Sequence, residues 1–190
     1  MPVAATLFVA PSLTTLTTAR LTLRPYVPAD EAAFFALLDQ ERNRLRPAFP
    51  ARVAATTTPA DAARVLATFL SDWRSDRLYV FGIWHTATAT YLGDISLRPQ
   101  MGRTRTAEIG YYLARTAEGH GYAREALAAA VQFGFDALQV ATFSIRCRAN
   151  NPRSCAVAQS AGFKQVPTRT RLWPLRKQAA EGEILYYSLS

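Results

Sequence analysis

Nowhere in the 190 residues is there an uninterrupted apolar run near the roughly 18 to 20 residues that a membrane-spanning helix needs. The opening stretch MPVAATLFVAPSLTTLTTAR is mildly apolar, but no basic residue precedes its apolar part, and Pro11 and several threonines interrupt it. It does not read as a secretory signal, so no membrane partner is expected and the cytoplasm is the default compartment. Cysteine is scarce: Cys147 and Cys155 are too few for a disulfide framework and stand at no metal-ligand spacing from His85 or His120. Both are read as reduced thiols, with no metal site expected. Repeats, low-complexity tracts and long linkers are missing too, which leaves one domain over residues 16–190 behind a flexible leader of residues 1–15. Charged residues make up only 19% while apolar residues reach 49%, so the chain has the material for a sizeable core. A domain of about 150 residues already buries about 70% of its unfolded surface.

The net charge of +8 is unevenly placed: residues 1–95 carry nine arginines against eight acids, residues 96–190 eleven arginines and two lysines against six acids. An anionic partner for the second half is one reading and an arginine-rich solvated surface is the other. The arginines are scattered over several elements without a basic helix or an RNA-binding motif, which speaks against nucleic acid.

Residues 20–25 alternate like a strand, and residues 30–38 carry Ala33, Phe34, Leu37 and Leu38 at helical spacing. Residues 42–58, rich in Arg and Thr with Pro47 and Pro50, read as a loop with a short helical turn. Thr58 then caps a helix with Pro59 in its first turn, running to about residue 73. Strand patterns at 78–84, 91–98 and 106–113 follow as an antiparallel meander. After them come the glycines Gly119 and Gly121 and an Ala-rich helix to about residue 138, whose apolar positions Ala123, Leu127, Ala130, Val131, Gly134 and Leu138 suit close packing on a sheet. A glycine loop opening a helix leaves backbone N–H groups free at the positive end of the helix dipole, which is a phosphate site. Gly119 and Gly121 also fit a plain tight turn. Beyond a strand at 140–147, Asn151 is a helix N-cap with Pro152 in the first turn, and Gly162 stands at the helix end. The last strands are expected at 164–171 and 184–189.

Strand, glycine loop and helix, followed by a strand and then Asn151-x-x-Ser154 with a Gly162-Phe163 end, form a combination with a known counterpart. Together with Thr18-Ala19-Arg20-Leu21-Thr22-Leu23-Arg24 and Glu108-Ile109-Gly110-Tyr111-Tyr112-Leu113, it resembles the GNAT superfamily over residue 17 to the C-terminus, and in particular its ribosomal-protein alanine N-acetyltransferase branch. The resemblance implies an α+β fold, with a mixed, mostly antiparallel sheet of about seven strands and about four helices. It also implies acetyl-CoA as co-substrate. The family's Gln/Arg-x-x-Gly-x-Gly/Ala loop falls on Glu118 to Ala123. There the amides of Gly119, Gly121, Tyr122, Ala123 and Arg124 would hold the pyrophosphate, while Asn151 would hold the pantetheine arm. In the family the sheet splays between the fourth and fifth of these seven strands, which places the Leu113 backbone beside the thioester. Glu118 departs from the family's Gln/Arg, so its side chain is expected to point away and Arg115 or Arg124 to supply positive charge.

A free α-amine has a pKa of about 8 and needs a base before it can attack a thioester directly. Glu108 is the candidate, on one strand face with Gly110 and Tyr112; it also reads as an exposed carboxylate or a partner of Arg146 or Arg148. The departing thiolate wants a proton donor. Many superfamily members use a Tyr seven residues beyond the Asn, where this chain has Ala158, whereas the branch places a Ser three residues beyond it, here Ser154. Ser154 is therefore the thiol partner, or else only supports the helix start. On the substrate side stand Tyr112, Arg44 in the loop 42–46, and Trp173 with Arg169 and Arg171. Those loops are basic, which favours a protein N-terminus, a ribosomal protein by resemblance, over a cationic antibiotic or polyamine. A non-catalytic acyl-CoA binder is the other alternative, and monomer and homodimer remain open.

Overall fold

The computed structural model describes residues 11–100, 102, 104–167 and 183–190. Eight strands run β1 (Leu16–Thr17), β2 (Leu21–Arg24), β3 (Tyr79–His85), β4 (Thr90–Gln100), β5 (Thr106–Leu113), β6 (Thr142–Arg148), β7 (Lys164–Val166) and β8 (Ile184–Leu189). The helices are α1 (Glu31–Gln40), α2 (Arg42–Leu45), α3 (Pro50–Ala55), α4 (Pro59–Arg74), α5 (Tyr122–Asp136) and α6 (Pro152–Ser160), with 3-10 turns at Pro28–Asp30 and Arg115–Ala117. One sheet is formed in the order β1-β2-β3-β4-β5-β6-β8-β7, antiparallel throughout except for β5 beside β6.

The two faces of the sheet sort by the two-residue period of its strands. On one face Phe34, Leu37, Leu38, Leu45, Val53 and Leu66 from α1–α4 pack with Val80, Trp84 and Tyr112. On the other, Leu127, Ala130, Phe133 and Ala158 from α5 and α6 meet Ile95, Leu97, Ile109, Phe143 and Ile145. Burying each large apolar side chain contributes about 1.5–3 kcal/mol. The small residues of α5 let it lie close: a Cβ at Gly134 would come within 2.4 Å of Phe143 Cζ. The start of α4 is fixed locally, since Thr58 Oγ1 accepts the Asp61 N–H at 3.2 Å and the Asp61 carboxylate accepts the Thr58 N–H at 2.8 Å.

The sheet has one strand more than the seven expected, because the two-residue β1 is too short to show alternation. Among the described residues there are six helices rather than about four, because the segment read as a loop with one short helical turn holds both α2 and α3. These are one or two turns long and carry no readable period, and they are tied to each other. Arg42 donates to Val53 O at 3.0 Å and to Thr56 O at 2.7 Å. Strand β7 ends at Val166, and the part of the expected 164–171 strand from residue 168 lies outside the described residues.

Candidate active site

Pairing between β5 and β6 runs only from Thr106↔Thr142 to Ile109↔Ile145, although both strands continue. Beyond that point β5 stays with β4 to the Gly93↔Leu113 pair, and β6 stays with β8 to Arg148↔Ile184. The sheet therefore splits between Gly110–Leu113 on one side and Arg146–Arg148 on the other. The Ala114 N–H donates to Leu92 O at 2.7 Å, so by alternation the amides of Tyr111 and Leu113 turn away from β4, into the split.

At the same end of the sheet lies the glycine loop. Gly119 and Gly121 take φ of 83° and 81°, values that favour glycine. Gly121 is the N-cap of α5 and offers no side-chain acceptor, so the first-turn amides of Tyr122, Ala123 and Arg124 lack a capping partner. The loop is pinned from outside: Arg20 donates to His120 O at 2.9 Å and pairs with Glu125 at 2.6 Å. The Glu125 carboxyl is pushed up by burial, but hydrogen bonds from Thr18 and Arg20 outweigh this and hold it below the ordinary range. On the β3–β4 side of the loop a cleft of about 320 Å³ is lined by His85, Thr88, Thr116, His120 and Tyr122, away from Glu108 and Ser154.

The Glu118 carboxylate accepts from Arg44 at 2.9 Å and from Arg153 at 2.5 Å. The charges that answer it thus come from α2 and α6. Arg44 is engaged on three sides, because it also donates to Glu41 at 2.6 Å and to Leu113 O at 2.5 Å. Glu41 in turn accepts the Arg115 N–H at 2.8 Å. Burial raises the Glu41 carboxyl, yet Arg44 and Arg115 hold it below the ordinary range. Arg44, read from the sequence as a substrate-side residue, is in this arrangement a link between α2, the end of β5 and the glycine loop.

Glu108, Gly110 and Tyr112 share the α1–α4 face of β5, with Phe49 over Gly110 and its ring 5.2 Å from that of Tyr112. Of the alternatives for Glu108, the pairing with Arg146 is present, and both of its contacts, at 2.6 and 2.7 Å, fall on Oε1. Arg148 donates to Pro47 O at 2.7 Å, so the α2–α3 connection reaches across to β6. Trp173 lies outside the described residues.

On the opposite face Ser154 enters the split from α6. Asn151 caps that helix by accepting the Ser154 N–H at 3.2 Å. The Ser154 hydroxyl lies 3.1 Å from Tyr111 Oη and 3.4 Å from Cys147 Sγ. Burial pushes the Tyr111 phenol well up and the Cys147 thiol to about 11, so both stay protonated at neutral pH. Both cysteines are buried free thiols.

Sequence reasoning missed a buried polar cluster under the Glu108 face. Asp94, fully buried, accepts from Arg52 at 2.5 Å and from Tyr26 at 3.1 Å, and Tyr26 in turn meets Tyr91 Oη at 2.7 Å. The Arg52 guanidinium lies 4.8 Å from the centre of the Phe69 ring and 5.7 Å from that of Tyr112. Asp94 stands in the middle of a strand pattern without any local signal of its partner 42 residues earlier.

A mixed sheet that opens beside a glycine-capped helix, with a second helix N-terminus at the opening, is the architecture of an acyltransferase. Residues 20–164 match the family described as acetyltransferase (GNAT) domain, and the chain belongs to that family. The putative ribosomal N-acetyltransferase YdaF of Bacillus subtilis is 28% identical over 174 residues, 89% of this chain and 90% of that protein. The uncharacterized protein YkkB of the same organism is 32% identical over 104 residues, a match that spans 53% of this chain and 60% of YkkB. Among solved structures, RimL, a ribosomal L7/L12 alpha-N-protein acetyltransferase in complex with coenzyme A, superposes with a TM-score of 0.78 at 18% identity. That likeness, over 93% of this chain and 97% of RimL, is one of fold.

Proposed function

We propose that the chain transfers acetyl from acetyl-CoA directly to a primary amine, and that the amine is the N-terminal α-amine of a protein or peptide. The observation that supports this most is the split itself, with the Leu113 amide turned into it, the uncapped start of α5 at one end and the Ser154 hydroxyl on its wall. The amides of Gly119, Gly121, Tyr122, Ala123 and Arg124 would receive the pyrophosphate, Asn151 would steady the pantetheine arm, and the Leu113 N–H would polarise the thioester carbonyl. Tyr112, with Arg44 and Trp173 as further candidates, would flank the acceptor.

Glu108 serves as base, directly or through water. Both Arg146 contacts use Oε1, which leaves Oε2 for the acceptor's proton. As nitrogen bonds to the carbonyl carbon, the carbon–sulfur bond breaks. The amine loses one proton and the thiol ends with one. An α-amine suits such a base because its pKa lies about two units below that of a lysine, which at roughly 1.4 kcal/mol per unit makes deprotonation correspondingly easier. Ribosomal protein is the acceptor named by YdaF and RimL and is the first candidate here.

Two measurements test the reading. Acetyl-CoA at a hundredfold excess over its dissociation constant should stabilise the fold by about 2.7 kcal/mol, seen as a raised melting temperature. Transfer should then be faster to peptides beginning with Ala or Ser than to polyamines or aminoglycosides. No thermal shift at millimolar ligand sinks the co-substrate, and preference for the small cationic amines sinks the acceptor while leaving the enzyme class intact.

A further inference from the structure

Part of the positive charge of the second half of the chain falls on a sheet face that no described helix covers. Cα pairing lines up Arg98 of β4, Glu108 of β5, Ser144 of β6, Ser188 of β8 and Lys164 of β7 in one row across the sheet. Directly paired residues point to the same side, so this row lies on the α1–α4 face together with Gly110 and Tyr112. The next row on that face runs through Arg146, Tyr186 and Val166. The buried strand residues gathered under α1–α4 are Val80, Trp84 and Tyr112, and none comes from β6, β7 or β8. Among the described residues this side of β6, β8 and β7 is therefore open, and Arg98, Arg146, Lys164 and Val166 are exposed.

Arg146 is engaged by Glu108, and Arg148, one row further on, donates to Pro47 O. Arg98 and Lys164 have no acidic partner among the described residues. Glu108 thus stands in a row that ends in an uncompensated cation on either side, and it supplies the only carboxylate of the two rows. We propose that this face holds the acceptor's chain beyond its first residue and selects an acidic N-terminal segment. This rests on the acceptor reading above and names its substrate class. From Glu108 to Lys164 is three strand spacings, about 14 Å, which an extended chain covers in about four residues. With its amine at Glu108, the acceptor brings roughly its fourth or fifth residue over Lys164, and Tyr186 and Val166 offer apolar contact on the way. A carboxylate there meets Lys164, whereas a basic residue is repelled. Nucleic acid fits this face less well: two cations about 19 Å apart, with a carboxylate and two serines between them, do not follow a backbone that carries a negative charge every few Å.

The test uses the full chain and three peptides of one sequence beginning with Ser, which differ only in carrying Glu, Gln or Lys at residues 4 and 5. Binding is read by fluorescence polarisation of a C-terminal label with CoA present, and transfer by release of CoA thiol from acetyl-CoA. Wild type should bind the Glu peptide about fivefold more tightly than the Gln peptide and the Lys peptide most weakly, with the differences shrinking at high salt. In transfer the same order should appear in KM, with kcat within about twofold. Lys164→Glu should reverse the order and favour the Lys peptide, while the thermal shift with acetyl-CoA and transfer to the Gln peptide stay within about twofold of wild type. Lys164→Gln should erase the preference without reversing it, and it serves if the charge reversal does not fold. Equal binding of the three peptides by wild type, or a preference that survives Lys164→Glu, overturns this proposal alone and leaves transfer to peptides standing. Tighter binding of an RNA oligonucleotide than of the Glu peptide, lost in Lys164→Glu, would give the face to nucleic acid instead. A wild type that acetylates polyamines but neither binds nor acetylates any peptide overturns it together with the acceptor reading on which it rests.

Discussion

Glu118 carries its charge to the loop whose amides would receive phosphate, and that charge is answered twice, by Arg44 and by Arg153. Neither partner was legible in the sequence: they lie 74 residues before it and 35 residues after, and an ion pair leaves no periodic trace. The glycines were legible, because Gly119 and Gly121 have backbone conformations that other residues rarely adopt. Exposed ion pairs contribute only about 0.2–1 kcal/mol, so Glu118→Gln should fold normally and release two guanidinium groups beside the loop. Acetyl-CoA affinity, measured by titration calorimetry, should rise by up to about fivefold at low salt, with a smaller gain at high salt. A lower affinity would show that the carboxylate organises the loop instead. At Glu108 the expectation is different. Glu108→Gln should lower kcat at neutral pH by about a hundredfold with little change in acetyl-CoA affinity, and full activity across the pH range would remove it as base.

Helices α4, α5 and α6 were readable because each carries its own start signal: a reciprocal Thr58–Asp61 cap, a left-handed Gly121, and Asn151 before Pro152. α2 and α3 were not, since they take their shape from Arg42 and from the strands beneath. The two kinds of helix should respond differently to substitution. Thr58→Ala removes one cap acceptor and should cost about 1 kcal/mol in a denaturant titration. Gly134→Val sets branched carbons where even a Cβ meets Phe143 at 2.4 Å, so α5 must lift from β6. Overpacking of this kind costs about 1–3 kcal/mol, and because α5 also carries the glycine loop at its start, acetyl-CoA binding should weaken as well. Unchanged binding in Gly134→Val would show that the loop is held by Arg20 and Glu125 rather than by the seating of α5.

For the molecule as a whole, the mixed sheet followed from the family resemblance, whereas the buried Arg52–Asp94 pair that ties α3 to β4 did not. Asp94→Ala leaves a buried guanidinium unmatched and should destabilise the fold by about 3–5 kcal/mol. Acid sensitivity should come from Glu41 and Glu125, whose carboxyls are held below their ordinary value of 4.5 in the folded chain. Their stabilisation is complete above pH 4.5 and is lost as pH falls through the lowered values, so unfolding midpoints should drop below pH 4.5 and drop less in Glu125→Gln. The parting of β5 from β6 has a consequence for exchange with heavy water. Along Gly110–Leu113 every second amide, those of Gly110 and Tyr112, is turned toward β4, while those of Tyr111 and Leu113 open into the gap. Deuterium should therefore enter this strand with an odd–even rhythm, fast at Tyr111 and Leu113 and slow at their neighbours. If the gap receives a ligand that presents its own carbonyls, that rhythm should vanish on binding, because the ligand then stands in as the absent neighbouring strand.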